Sequence, residues 1–159
     1  MRNNGIRLED LMPLIRERLA AGESVRFSPH GTSMLPMLKD GRDQVILSPL
    51  PDKLKKYDLP FYQRENGQYV LHRIVNVKDD YTCMGDNQFV PEPGVRHDQM
   101  IAVVTGFIRK GKEYSAECLR YKAYCRFWYA IRPLRHFFLR IRGVLGRIKR
   151  RIAASMGRK

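Results

Sequence analysis

The sequence predicts a mainly β domain of short antiparallel strands, with an amphipathic helix before it and a basic helical tail after it. Three observations lead to this prediction. Short apolar runs alternate with clusters of Gly, Pro, Asn and Asp across residues 24–112. Apolar residues recur at every third or fourth position near both ends of the chain, which is the period of a helix. Positive charge is concentrated beyond residue 117.

Length and charge divide the chain into a body and a tail. A chain of 159 residues is long enough for one domain and an appendage, which we place at 1–114 and 115–159. Residues 1–117 carry 17 basic and 16 acidic side chains, whereas residues 118–159 carry 13 basic side chains and no acid. A cationic segment of this density indicates an anionic partner: lipid, nucleic acid or an acidic protein.

The first element is a helix over residues 7–21. Leucine and isoleucine side chains fall at helical spacing there, with charged residues between them. Gly22 follows as a stop signal. This helix is expected to pack on the body of the protein.

The body then follows as a series of strands. They are predicted at residues 24–28, 44–47, 57–62, 68–77, 81–84 and 100–108. The Asn66-Gly67 pair favours a type I′ hairpin. Residues 88–98, which contain two prolines, are predicted to be an irregular loop, and residues 110–112 a turn.

From residue 115 onward, apolar and basic residues alternate at helical spacing, and Pro133 is expected to interrupt the helix. Such a segment is typical of an in-plane anchor on an anionic membrane. The residues expected to contact the membrane or another anion are Arg126, Trp128, Arg132, Arg135 and Arg140. Two alternatives are a helix that packs on the body with a solvated basic face, and binding to nucleic acid or an acidic partner.

Targeting signals and cysteines bear on location. The first five residues contain no apolar signal-peptide core, and no window reaches 18 uninterrupted apolar residues. The three cysteines are odd in number and lack metal-ligand spacing. These features favour a cytoplasmic protein, peripheral at the membrane.

Three residues could carry chemistry together, although each alone is ordinary. Ser33 lies in a Gly- and Pro-containing loop, His72 lies within a predicted strand, and Asp86 follows the next strand. A serine hydrolase needs a hydroxyl, a base and a group that orients the base. The turn at residues 78–80 is expected to bring His72 and Asp86 near each other.

The same residues form three boxes that resemble a known family. Gly31-Thr32-Ser33-Met34-Leu35-Pro36, with the Gly41–Val45 segment after it, resembles the serine box of type I signal peptidases. Leu71-His72-Arg73-Ile74-Val75 resembles the second box of the endoplasmic-reticulum and archaeal type, in which histidine replaces lysine. Gly85-Asp86-Asn87 resembles the third box.

The resemblance implies the β fold shared by signal peptidases and SOS-type repressors, and a serine endopeptidase that cleaves a precursor or leader peptide. It implies that Ser33 is the nucleophile, His72 the base and Asp86 the group that orients or charge-balances His72. The oxyanion hole would be formed at Gly31 and Ser33, and Met34 would line the substrate cleft. The resemblance calls for no metal and no cofactor.

The chain departs from the family pattern in three ways. Arg42 is inserted before Asp43, and the nearest candidates for a second acid after the third box are Glu92 and Asp98. The charged helix at residues 7–21 stands where these enzymes have a membrane anchor. Maturation of a particular exported peptide is therefore expected rather than general removal of secretory signals.

Two further functions remain open at this point. One is a self-cleaving regulator of the SOS-repressor type, although no lysine occupies the strand position and the first 30 residues are too few for a helix-turn-helix domain. The other is a non-catalytic module that binds membrane surfaces or nucleic acid.

Overall fold

The structure, a computed structural model, describes residues 2–3 and 6–138, with side chains from Arg7 onward. Strands make up 33% and helices 27% of the chain, so the fold is mixed α and β rather than mainly β. The strands are antiparallel, as predicted. In chain order they are β1 (Arg2–Asn3), β2 (Ile6–Arg7), β3 (Val25–Phe27), β4 (Gln44–Ser48), β5 (Pro60–Gln63), β6 (Tyr69–Leu71), β7 (Arg73–Val77), β8 (Tyr81–Met84), β9 (Glu92–Val95), β10 (Met100–Arg109) and β11 (Lys112–Ser115).

The helices are α1 (Leu8–Ala20), α2 (Leu119–Ala130) and α3 (132–138), with a 3-10 turn at His97–Gln99. The predicted helix at 7–21 is confirmed to within one residue at each end. Its buried side chains recur at helical spacing and join the main core: Leu8, Met12, Ile15 and Leu19.

The larger sheet has the strand order β3-β4-β10-β5-β6, and β11 also pairs with β10. The central strand β10 is long, and it pairs with β4, with β5 near its start and with β11 near its end; a register shift between Val104 and Gly106 interrupts its pairing with β4. Side chains that are fully buried against this sheet include Val45, Leu47, Phe61 and Phe107. They form the main core with α1.

The smaller sheet has the order β7-β8-β9 and its own core, centred on Tyr62, Ile74 and Cys83. The single strand predicted for residues 68–77 is therefore divided. Residues before His72 belong to the larger sheet and residues after it to the smaller one. His72 is the single residue that links β6 of the larger sheet to β7 of the smaller one. Its position is set by tertiary packing, which the local apolar pattern does not indicate.

Four strands lie where none were predicted: the short β1 and β2 before the helix, β9 and β11. β9 falls within the predicted loop at 88–98, because its sequence Glu-Pro-Gly-Val has no alternation to indicate a strand. β11 follows the turn after β10, and all four of its residues are exposed and mostly polar. The hairpin between β5 and β6 is present, but only Gly67 has a positive φ there, so the turn is not type I′.

The segment after β11 begins as part of the body rather than as a free tail. Tyr121 and Tyr124 of α2 pack against the main core, and Cys125 is buried. The helix is interrupted at Ile131, and Pro133 falls in the first turn of α3, where a missing N–H costs nothing. In the part of the chain that the structure describes, no helix has both the length and the apolar composition to cross a bilayer.

Candidate active site

Ser33 lies in a loop between β3 and β4 that is anchored on both sides. Met34, Met37 and Leu38 directly after it are buried in the main core. The backbone turns tightly here, because the Leu35 N–H donates to Thr32 O at 3.2 Å and the Leu38 N–H to Met34 O at 2.9 Å. The Ser33 side chain itself remains partly exposed. The loop thus presents a hydroxyl from a fixed backbone.

The loop after β8 holds the serine loop from the other side. The Asn87 N–H donates to Ser33 O at 2.8 Å, and the Asn87 side-chain amide donates to Thr32 O at 3.2 Å. Gly85 approaches so closely that a Cβ there would stand 2.6 Å from Ser33 O. The first and third sequence boxes are therefore in direct contact, and a glycine is required at position 85 because any side chain would displace Ser33.

Ser33 and His72 line one cleft of about 280 Å³. Part of its lining is apolar and includes Phe27 of β3, Met34, and Leu71 of β6. β3 and β6 are the two outer strands of the larger sheet, so the cleft opens between its edges. In the described residues no hydrogen bond joins Ser33 to His72. The sequence prediction that these two residues share a site is thus consistent with their placement on one cleft.

His72 is almost fully buried, and its Nδ1 faces a polar network. The Tyr62 hydroxyl lies 3.5 Å from His72 Nδ1 and 2.8 Å from Glu92 Oε2, which also lies 3.8 Å from His72 Nδ1. Arg64 holds the Glu92 carboxylate with two hydrogen bonds, at 2.7 and 2.6 Å. The carboxylate behind His72 is therefore that of Glu92.

The hydrogen bonds of Tyr62 favour one tautomer of His72. Tyr62 has one proton, and it is donated to Glu92 at 2.8 Å. The acceptors Tyr62 and Glu92 both face Nδ1, at 3.5 and 3.8 Å, and this favours a proton on Nδ1 and a lone pair on Nε2. Neutral histidine with a free Nε2 is the form that a general base requires.

Charge around His72 keeps the imidazole neutral. Burial, followed by the positive charge of Arg64, lowers the pKa of His72 to about 4, while Glu92 and Asp86 act in the opposite direction. Burial would raise the pKa of Glu92, but hydrogen bonds from Arg64 and Tyr62 outweigh it and lower that pKa. At neutral pH the site thus contains a neutral histidine beside an ionised glutamate.

Asp86 was expected to orient His72, and the structure gives its carboxylate a different partner. Both oxygens accept hydrogen bonds from Arg73, each at 2.8 Å, and both side chains are buried. Neighbouring residues of a strand point to opposite faces, so the residue after His72 faces away from the cleft. Asp86 follows Arg73 to that side and affects His72 only through a weak electrostatic contribution.

The oxyanion hole also differs from expectation at Gly31. The Gly31 N–H donates to Asp40 Oδ2 at 2.9 Å, and His30 Nδ1 binds the other oxygen of Asp40 at 2.8 Å. That amide is therefore occupied. The Ser33 N–H has no hydrogen-bond partner among the described residues, and it is the amide available to an oxyanion.

Most of the residues expected to contact a membrane bind the loop after β8 instead. The Trp128 indole donates to Asp86 O at 2.8 Å, Arg135 donates to the same oxygen at 3.2 Å, and Arg132 donates to Phe89 O. The carbonyl groups of this loop need hydrogen-bond donors, and side chains of α2 and α3 supply them. Arg126 is exposed, and Arg140 lies outside the described residues.

Sequence reasoning missed Tyr62, Arg64 and His30 as parts of this site. No local pattern marks Tyr62 and Arg64, because they reach His72 only through the pairing of β5 with β6. Arg73 could have been recognised, since an arginine inside an apolar strand needs a buried counter-ion.

Comparison with known protein families, curated proteins and solved structures finds no match to this chain.

Proposed function

We propose that this protein is a serine endopeptidase with a signal-peptidase-like fold and mechanism, and that it cleaves a precursor or leader peptide. The observation that carries the proposal is the cleft on which Ser33 and His72 meet, with the Glu92 carboxylate 3.8 Å behind His72 Nδ1. The clamp between the Ser33 loop and the Gly85–Asn87 loop supports it, because it brings the first and third sequence boxes into contact.

In the proposed reaction, Ser33 Oγ attacks the scissile carbonyl while His72 Nε2 accepts its proton. The tetrahedral intermediate places its oxyanion at the Ser33 N–H. The protonated His72 then donates to the leaving amine, and the acyl-enzyme is hydrolysed by water that His72 activates in the same way. No metal or cofactor enters the scheme.

Glu92, through Tyr62, acts as the positioning group in place of Asp86. An ionised Glu92 stabilises the imidazolium that forms after proton transfer, which burial alone would disfavour. Tyr62 is fully buried and bridges the two groups, so it also fixes the orientation of the ring. In this assignment the acid of the triad is Glu92 of β9, and it replaces Asp86 of the third box.

The test is cleavage of a mixed peptide library, with products read by mass spectrometry. Ser33→Ala should lower the rate by at least about three orders of magnitude, because nucleophile and base act as a unit. His72→Ala should have a similar effect. Ser28→Ala is the matched control, since Ser28 is in the same loop but its hydroxyl accepts a hydrogen bond from Gln44.

Two outcomes would contradict this mechanism. Full cleavage by Ser33→Ala would show that Ser33 is not the nucleophile. Loss of cleavage in His30→Ala, with activity retained in His72→Ala, would move the base to the His30–Asp40 pair. A wild-type protein that changes its own mass on storage, without added peptide, would instead indicate a self-cleaving regulator.

An anionic membrane surface is the proposed partner of the C-terminal region. Phe127, Leu134 and Phe138 lie seven and four residues apart along α2 and α3 and are more than half exposed. Residues 118–159 carry 13 basic side chains and no acid. Apolar side chains beside dense positive charge fit a membrane interface better than open solvent.

A further inference from the structure

A second cavity, of about 470 Å³, lies between the segment before β5 and helix α2. It shares no lining residue with the Ser33 cleft. Five basic side chains line it: Lys53, Lys55, Lys56, Lys122 and Arg126. Two acids, Asp58 and Glu117, also line it, which leaves an excess of three positive charges.

Most of these cations have no ion-pair partner among the described residues. Glu117 is paired with Lys122. Asp58 accepts the backbone N–H of Lys55 at 2.7 Å. Within residues 7–138, no carboxylate lies at ion-pair distance from Lys53, Lys55, Lys56 or Arg126. Four cations of the described chain thus line one cavity without forming an ion pair.

The interior of the cavity is apolar where its rim is charged. Leu59 of the segment, Val103 and Val104 of β10 and Tyr121 of α2 form its inner surface. Leu59 and Val104 are buried nearly completely. A cationic rim over an apolar floor suits a ligand with an anionic head joined to an apolar chain.

The backbone of the segment is held in an unusual conformation at this point. Tyr57 has a φ of 80°, which a residue with a side chain rarely adopts. It is fixed by its N–H, which donates to Ile74 O at 2.8 Å, and by Arg73, which donates to Tyr57 O at 3.1 Å. Such conformations persist where surrounding contacts impose them, and they concentrate at ligand sites.

This conformation sets the position of Lys56 in particular. Its ammonium lies 5.3 Å from the ring centre of Tyr57 and 5.1 Å from that of Tyr129. One cation at the rim is therefore preorganised by two aromatic rings, one from the segment and one from α2.

We propose that this cavity binds the phosphate headgroup of an anionic phospholipid. The inference rests on the proposed membrane partner, and it places the specific contact at residues 53–56 and α2 rather than only in the distal basic segment. The lysines and arginine of the rim are exposed to solvent, so a headgroup can reach them from outside while its chain enters the cavity. Duplex nucleic acid would leave the apolar floor without a function.

The experiment measures binding of the full chain, carrying Ser33→Ala, to vesicles of phosphatidylcholine with and without phosphatidylglycerol. The site variant is Lys53→Gln/Lys55→Gln/Lys56→Gln. The matched control is Lys78→Gln/Lys110→Gln/Lys112→Gln, which removes the same charge from exposed positions outside the cavity. The site variant should need at least about tenfold more anionic lipid for half-saturation, because each lysine at the surface contributes severalfold. The control should change by less than about threefold.

A second arm compares a short-chain phosphatidylglycerol below its micellar concentration with inorganic phosphate, by the shift in melting temperature. The lipid should stabilise the protein more, since only it can occupy the apolar floor. Equal loss of vesicle binding in both triple variants, or equal stabilisation by inorganic phosphate, would overturn the proposal. So would tighter binding to a duplex DNA fragment than to the anionic vesicles. Peptide cleavage by the Ser33-containing chain is measured separately, so a failure here leaves the proposed protease intact.

Discussion

At His72, burial and local charge act on the basicity of the imidazole in opposite directions. Burial and Arg64 lower its pKa, while Glu92 raises it. A base whose pKa is about 4 is fully deprotonated at neutral pH, so in the proposed mechanism no protein would be held in the inactive imidazolium form. The low pKa would also weaken the affinity of His72 for the proton of Ser33, and Glu92 would offset this loss.

The acid limb of kcat/KM should therefore have its midpoint near pH 4 rather than near the 6.5 of ordinary histidine. Activity is lost as the pH falls through that value, because His72 becomes protonated. Arg64→Gln removes a positive charge and releases Glu92 from its ion pair, so it should move the midpoint upward. The measurement is a pH profile of cleavage of a fixed peptide.

Arg96→Gln is the control for that profile, because Arg96 is an exposed arginine paired with Glu65 and Asp98, away from the cleft. Its midpoint should match the wild type. A wild-type midpoint near 6.5, or one that Arg64→Gln leaves in place, would show that His72 is not the titrating base.

The residues of the site were predicted from sequence to different degrees. Ser33 and His72 could be named, because the three boxes occur in order and each contains a distinctive residue type. The sequence prediction assigned the orienting acid to Asp86, whereas the carboxylate that faces His72 Nδ1 is that of Glu92, since this depends on which side of the chain each loop approaches. Tyr62 and Arg64 needed the register of β5 and β6, which no local pattern provides.

At the scale of elements, two loops and the helices α2 and α3 depend on one another. The Gly85–Asn87 loop supports the Ser33 backbone on one side and accepts hydrogen bonds from Trp128 and Arg135 on the other. The geometry of the nucleophile is thus connected to the packing of the C-terminal region through a single short loop.

Gly85→Ala should lower cleavage by about a hundredfold with the fold intact, because a methyl group at that position meets Ser33 O at 2.6 Å and shifts the serine. The measurement pairs kcat/KM with the melting temperature. Gly111→Ala is the matched control: it places a methyl group at a glycine with a positive φ in open space, in the β10–β11 turn. The control should lose stability and keep its activity.

If Gly85→Ala cleaves peptide at the wild-type rate, the contact between the two loops does not set the position of Ser33. If both variants lose activity in proportion to their stability, the effect is one of folding alone.

The elements were predicted where the sequence signal is local. The helix at 7–21 has a clear apolar stripe, and the strands near residues 44 and 100 are bounded by turn residues. β11 could not be found, because its four residues are exposed and acquire strand geometry only by pairing with β10. The break at His72 could not be predicted either, because the apolar pattern of the sequence is the same whether the residues form one strand or two strands in different sheets.

At the scale of the whole molecule, the buried Arg73–Asp86 pair links three parts of the structure. Arg73 belongs to β7, and Asp86 belongs to the loop after β8. Three side chains of α2 contact the pair: Tyr121, Tyr124 and Cys125. Removing one member of such a pair leaves a buried charge without a partner.

Asp86→Asn should therefore destabilise the protein by about 3–5 kcal/mol, and the double variant Arg73→Met/Asp86→Leu should be closer to the wild type than the single one. Asp98→Asn, at an exposed acid, should change stability by less than about 0.5 kcal/mol. Urea unfolding gives the free energies. Wild-type stability in Asp86→Asn, together with lost cleavage, would instead assign Asp86 to the chemistry.

The central position of β10 has a consequence for synthesis of the chain on the ribosome. The pairs β3–β4 and β5–β6 are connected within the larger sheet only through β10, whose residues are translated after those of all four strands. The loop that supports Ser33 completes its contacts later still, because its donors Trp128 of α2 and Arg135 of α3 are translated after β10. Under the proposed function, a nascent chain is therefore expected to lack a fully supported nucleophile until residue 135 has been translated.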